Sequence, residues 1–271
     1  MRSYTKIYDR INYTTRLPYI VNSFIREYDL SKANISSLLY ERRISDNEYR
    51  EFYNMDKIYR EIKIGMMIKN DLSIYKSIRN GIQHAKKLLI EANSIGENEI
   101  VSIKNDAIFV YGRELHNTNF PPFIFKEKNV YTIFMKLCNL EIYYGDCNNI
   151  DGTVSTNIDI KGISDNKIKL HQNGMLDIIC DVCYMVPRER PSVILNHLTL
   201  LYNKFIHKQL PINYYRSFDS NSDFSIDIPY RVMRIDTLSE EYKGIVNIER
   251  NNSIFRDLIF IISDIYRRYN R

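Results

Sequence analysis

Residues 99–111 read EIVSIKNDAIFVY, and this stretch decides the fold. Two runs rich in β-branched and aromatic residues flank Lys104-Asn105-Asp106. Runs of that kind, separated by a short Asn/Asp link, read as strand, tight turn, strand. The hairpin therefore carries a carboxylate, Asp106, at its tip. Upstream, residues 73–93 place Ile78, Ile82, Leu88, Leu89 and Ala92 at helical spacing, which predicts an amphipathic helix. Before it lies a charged, partly aromatic helical stretch over 35–69, interrupted at Ser45-Asp46-Asn47. Further back, a strand ends near Asp29, and Asp29 and Ser31 are residues that start helices.

Downstream, strands are expected over 123–126, 130–137, 141–144 and 158–163, and helices over 166–185 and 193–207. The tail mixes short strands with a final helix over 254–269, apolar at Ile254, Leu258, Ile261, Ile262 and Ile265. Its terminal Arg267, Arg268 and Arg271 suit the negative end of a helix dipole. The expected class is α+β: an antiparallel sheet with packed helices, followed by a mostly helical C-terminal region.

Composition excludes several alternatives. With 271 residues, 44% hydrophobic and 26% charged, the chain is ordinary globular protein, not a disordered, collagen-like or coiled-coil chain. Lys and Arg number 38 against 33 Asp and Glu, a mild excess of +5 that is compatible with a polyanionic partner. Four cysteines are too few for a disulfide scaffold. Cys180 and Cys183 lie in the apolar helical stretch MLDIICDVCYM with no second pair, and Cys138 and Cys147 lack metal-like spacing, so buried thiols are expected. The five histidines are scattered without ligand spacing. No G-x-x-x-x-G-K-[ST], G-x-G-x-x-G or G-x-S-x-G motif occurs, which argues against P-loop, dinucleotide and α/β-hydrolase chemistry. The amino terminus lacks an apolar signal core, and no apolar run approaches the ~20 residues of a membrane span, so an intracellular protein without membrane contact is expected.

Asp29 and Asp106 come from separate strands to one sheet edge. Mg²⁺ sites for phosphoryl transfer need such carboxylates, holding two metals about 3.5–4 Å apart. Asp is equally an ordinary turn and cap residue, so the pair alone leaves both readings open.

The neighbouring motifs bear on that choice. Tyr28-Asp29-Leu30-Ser31-Lys32-Ala33-Asn34-Ile35-Ser36 resembles the first palm motif of family B DNA polymerases, Y-D-x-S-S-L-Y-P-S. Lys57 to Gly65, KIYREIKIG, is similar to their fingers motif K-x-x-x-N-S-x-Y-G. Lys104 to Val110, KNDAIFV, looks like their D-T-D-S-I-F-V hairpin. Glu127-Lys128-Asn129-Val130-Tyr131 and Lys161-Gly162-Ile163 are similar to the K-K-x-Y and K-G-I elements. Each match is weak, but the five occur in the family's order. Heavy use of Ile, Asn, Lys and Tyr, whose codons are A/T-rich, suits a bacteriophage genome.

The resemblance implies a polymerase-like palm over 1–165 with a short helical fingers insertion at about 36–72, and a thumb-like, mostly helical region over 166–271. It implies no amino-terminal proofreading domain. Asp29 and Asp106 would be catalytic ligands of Mg²⁺ (or Mn²⁺) for two-metal nucleotidyl transfer. Lys57, Arg60 and Ser31 would hold a deoxynucleoside triphosphate, and Lys128, Tyr131 and Lys161 would contact primer–template DNA. The chain departs from the family at Lys104 for the first aspartate of D-T-D, at Glu61-Ile62 for Asn-Ser, and at Ala33-Asn34 for Leu-Tyr. Two functions are therefore expected in competition. One is a minimal or split DNA polymerase, working with other phage replication or polymerase subunits in the host cytoplasm. The other is a catalytically inactive palm relic, serving as a nucleic-acid-binding accessory or structural protein.

Overall fold

The Lys104-Asn105-Asp106 link closes as a two-residue turn in the computed structural model, which describes residues 12–148, 154–162, 173–216 and 247–270. Lys104 pairs with Ala107 across the turn, and Asn105 takes φ 43°, in the left-handed region that asparagine tolerates. Its arms are β4 (Ile100–Lys104) and β5 (Ala107–Tyr111). The chain forms two compact units, residues 1–16 with 23–131 and residues 17–22 with 132–271.

In the first unit the hairpin joins β1 (Asn12–Thr14), β3 (Ile25–Leu30), β6 (Asn119–Phe120) and β7 (Phe123–Tyr131). The sheet order is β1-β4-β5-β3-β7-β6, with every neighbouring pair antiparallel. One face, carrying Tyr28, Leu30, Ile103, Ile108, Val110, Phe123 and Phe125, is buried with Ala85, Leu89 and Ile90 of α4 (Ser73–Ala92). Between β3 and α4 come α1 (Ala33–Tyr40), α2 (Asp46–Asn54) and α3 (Lys57–Asn70). They share a second core of Ile35, Leu38, Ile44, Phe52, Ile64, Ile74 and Ile78.

Each helix start has a local cause. Ser45 and Glu48 form a capping box on α2, and the Asp56 carboxylate accepts from the Ile58 N–H at the head of α3. α1 crosses α4 closely because Gly81 has no side chain: a Cβ there would stand 2.4 Å from the Ser37 Cβ and 2.6 Å from its Cα.

In the second unit the sheet runs β10-β9-β8-β2, from β2 (Tyr19–Ile20), β8 (Ile133–Leu137), β9 (Leu140–Asn148) and β10 (Val154–Lys161). Met135, Leu137, Leu140 and Ile142 form one core with α5 (Gly174–Met185), α6 (Pro191–Ile206) and α7 (Ile248–Tyr269). After β10 the chain turns at Gly162, whose φ of 98° and approach to the Asn139 carbonyl (2.5 Å from an added Cβ) leave no room for a side chain.

The α+β class with antiparallel sheets agrees with the sequence reading, but three boundaries differ. The run over 130–137 is two strands: Tyr131 pairs with Ile25 in the first sheet, whereas Ile133 pairs with Tyr144 in the second. The Thr132 N–H donates to the Tyr144 carbonyl at 2.8 Å, so the change of sheet needs no Gly or Pro. The boundary expected at 165 lies instead between 131 and 132, because β8, β9 and β10 share their core with the C-terminal helices. The last helix starts at Ile248, where the Asn247 side chain accepts from the Arg250 N–H. The expected tail strands, and the start of the helix expected from 166, lie outside the described residues.

Candidate nucleic-acid interface

β3 and the hairpin tip meet at one end of the first sheet. The Leu30 N–H donates to the Asp106 carbonyl at 3.0 Å, so the backbones carrying Asp29 and Asp106 are direct neighbours. The register places Lys104 opposite Ala107, Ala107 opposite Asp29, and Asp29 opposite Lys126. Residues directly opposite one another share a sheet face. Tyr28, Leu30, Ile103, Ile108 and Phe125 belong to the core beneath α4, so alternation sends the row Lys104–Ala107–Asp29–Lys126 to the other face. One carboxylate stands there between two lysines.

Asp106 turns the other way. It lines a cavity of about 300 Å³ with Asn34 of α1 and Tyr75, Arg79, Gln83 and Lys86 of α4. Lys86 is 1% exposed, and burial pushes its ammonium pKa down to about 8, with the Asp106 charge pulling the other way. Each aspartate thus has a lysine for a neighbour. The remaining cations of this end crowd together: burial and the nearby Arg60 and Lys126 push the Lys32 pKa down. The Lys32 ammonium lies over the Tyr53 ring and donates to the Tyr53 carbonyl.

The two aspartates of the sequence reading are therefore at one strand end but on different faces. Among the described residues, no group of three or more His, Cys, Asp or Glu is arranged to hold a metal.

The other expected site residues are dispersed. Lys57 opens α3 in solvent. Arg60 is buried, donates to the Met55 carbonyl at 3.4 Å and sits 3.8 Å from Glu61, so its guanidinium serves the helical insertion. Ser31, in the β3–α1 turn, donates its N–H to the Ile124 carbonyl at 2.8 Å. Lys128 is exposed and 3.6 Å from Glu27. Tyr131 is fully buried; its hydroxyl donates to Glu27 at 3.2 Å and its ring stacks with Phe109, which makes it a core residue. Lys161 belongs to the second unit and pairs with Asp159 at 2.7 Å.

Sequence reasoning missed Arg79, Lys86 and Lys126. The first two were legible in principle: Tyr75, Arg79, Gln83 and Lys86 recur at three and four residues, one polar line down α4. The thiols fit the structural expectation: burial raises Cys180 to about 11 and pushes Cys183 still higher, so neither is a thiolate at neutral pH.

The net charge is unevenly divided. The first unit has 21 Lys and Arg against 16 Asp and Glu, and the second has 17 of each, so the whole +5 lies in the first. Among the described residues, no helix is long and apolar enough to cross a membrane. The family model described as Bacteriophage PBS1 gene 130 protein matches residues 1–264, so the chain belongs to that family. No curated protein matches the chain.

Proposed function

We propose that this member of a bacteriophage protein family binds nucleic acid through the strand-end face of its first unit, on a frame resembling a polymerase palm, and acts in the host cytoplasm as an accessory to replication or transcription. The observation that carries the reading is the row Lys104–Ala107–Asp29–Lys126. Where a metal-dependent transferase would converge carboxylates, this chain sets a single aspartate between lysines. Such a surface attracts phosphate more readily than a divalent cation. The confinement of the net charge to the first unit supports the same face. Phosphate contacts of this kind position a duplex without reading its sequence.

A second reading, two-metal nucleotidyl transfer on a primer–template, is favoured by the Leu30–Asp106 hydrogen bond and by the helical insertion between β3 and the hairpin. Hydrogen exchange with and without a primer–template duplex tests the first reading. Amides in 30–34, 104–107 and 124–128 are expected to exchange more slowly with duplex present, equally with Mg²⁺ or EDTA. Protection confined to the second unit would overturn it. Metal-dependent extension of the primer, lost in Asp106→Asn, would replace it with the polymerase reading.

A further inference from the structure

The cavity at the hairpin tip is walled by three elements of the first unit: the β4–β5 turn with Asn105 and Asp106, α1 with Asn34, and α4. Its α4 wall is graded. Tyr75 (52% exposed) and Arg79 stand open to solvent, Ile82 and Gln83 are half-buried, and Lys86 is buried. Arg79 and Lys86 are two helical turns apart, about 10.5 Å along the axis. The mouth therefore lies at Arg79 and the floor at Lys86. At about 300 Å³ the cavity has the size of a small-molecule site, and it joins an apolar wall, Ile78 and Ile82, to convergent polar groups.

Charge is unevenly divided along it. At the floor the Lys86 ammonium feels the Asp106 carboxylate, so that end offers a donor and an acceptor with little net charge. At the mouth the Arg79 guanidinium stands 5.8 Å from the Tyr75 ring centroid and makes no ion pair among the described residues. The surplus positive charge of the cavity is thus that of Arg79, at its open end. An anion belongs there, and a guanidinium grips phosphate oxygens bidentately.

The floor selects for something else. Asn34, Gln83, Lys86, Asn105 and Asp106 bring donors and acceptors together, and the groups that answer both are hydroxyls. Asn34 is held in place by donating to Glu61 at 2.8 Å. A buried ammonium is costly to keep, and such groups gather at binding and catalytic sites. A bare phosphate ion cannot reach both ends, two turns apart, and a simple carboxylic acid would leave most of the floor unanswered. We propose that this cavity binds a phosphorylated sugar, with its phosphate on Arg79 at the mouth and its hydroxyls on Asp106, Lys86 and Gln83 at the floor. The same unit occurs as a free sugar phosphate and in a mononucleotide. The site lies on the α4 side of the turn, away from the row Lys104–Ala107–Asp29–Lys126, and does not depend on duplex binding.

The test is calorimetric titration of the full-length protein with ribose 5-phosphate, ribose, inorganic phosphate and adenosine 5′-monophosphate, without metal or DNA. Saturable binding of a phosphorylated sugar is expected, at least tenfold tighter than ribose or phosphate alone. Adenosine 5′-monophosphate binding more tightly than ribose 5-phosphate would assign the unit to a mononucleotide, and the reverse order to a free sugar phosphate. Arg79 is exposed, so Arg79→Gln should weaken binding tenfold or more and leave the melting temperature unchanged. Lys86→Met should weaken it as much while raising the melting temperature, which separates loss of the site from loss of the fold. Lys104→Gln/Lys126→Gln should bind as the wild type does; loss of binding there would move the ligand to the strand-end row and overturn the proposal. So would no saturable binding of either phosphorylated sugar at millimolar concentration, phosphate binding as tightly as both, or binding indifferent to Arg79→Gln.

Discussion

Gly81→Ala is expected to destabilise the protein by about 2–3 kcal/mol, although alanine is the better helix former by about 1 kcal/mol. The methyl group would arrive 2.4 Å from the Ser37 Cβ, 2.6 Å from its Cα and 2.7 Å from its Oγ. Backbone cannot rotate away as a flexible side-chain tip can, so α1 and α4 would have to separate. That separation would open a core containing Ile35, Leu38, Ile74 and Ile78. Urea unfolding of the two proteins measures the loss. Ser37→Gly should recover part of it by removing two of the three close atoms, giving a coupling energy of about 1 kcal/mol or more between the sites. A stabilising Gly81→Ala would show that the helices do not cross as described.

Lys86→Met is expected to act in the opposite direction and to depend on pH. The Lys86 ammonium has a folded pKa depressed to about 8 from an ordinary value of 10.5, because it is buried. Below about pH 8 the group is charged in both folded and unfolded chains, and the folded chain carries the full burial penalty. Between about 8 and 10.5 the unfolded chain binds more protons than the folded one, so stability due to this group rises with pH. Above 10.5 it is neutral in both states and the penalty is gone. Methionine fills similar volume without a charge, so at pH 7 the variant should be more stable by up to about 3 kcal/mol. The advantage should shrink steadily towards pH 10. A difference between the two proteins that stays constant from pH 7 to pH 10 would show that Lys86 titrates normally.

What the sequence disclosed follows from the range of the forces involved. The hairpin was legible because its cause is local: Asn-Asp between two β-branched runs can hardly fold otherwise. α4 was legible in its apolar period, yet its polar line of Arg79 and Lys86 matters only through what the hairpin tip brings to it, a cavity shared with Asp106 that periodicity does not contain. Lys104, Asp29 and Lys126 became neighbours through register across three strand pairs, which is fixed by tertiary pairing. The same limit explains Arg60 and Tyr131. A charged residue on a helix and a tyrosine at a strand end both look available to a ligand, yet Arg60 is buried and turns back onto the Met55 carbonyl, and Tyr131 packs against Phe109 and Glu27 of its own sheet. The split of the 130–137 run escaped notice because Tyr131-Thr132-Ile133 offers no turn residue; the strand simply leaves one sheet and enters another.

The claim that lysines at the strand end hold phosphates is tested most directly by the salt dependence of duplex binding. Fluorescence anisotropy of a labelled primer–template duplex, titrated with wild type and with Lys104→Gln/Lys126→Gln between 50 and 200 mM salt, gives the slope of log K against log salt. Each phosphate contact contributes about −0.9 to that slope on double-stranded DNA. The wild type should bind with a steep negative slope that varies little with sequence, and the double variant should bind more weakly with a slope shallower by about 1.8. No binding at 50 mM salt, or identical slopes for the two proteins, would contradict the placement of the nucleic-acid interface at Lys104 and Lys126.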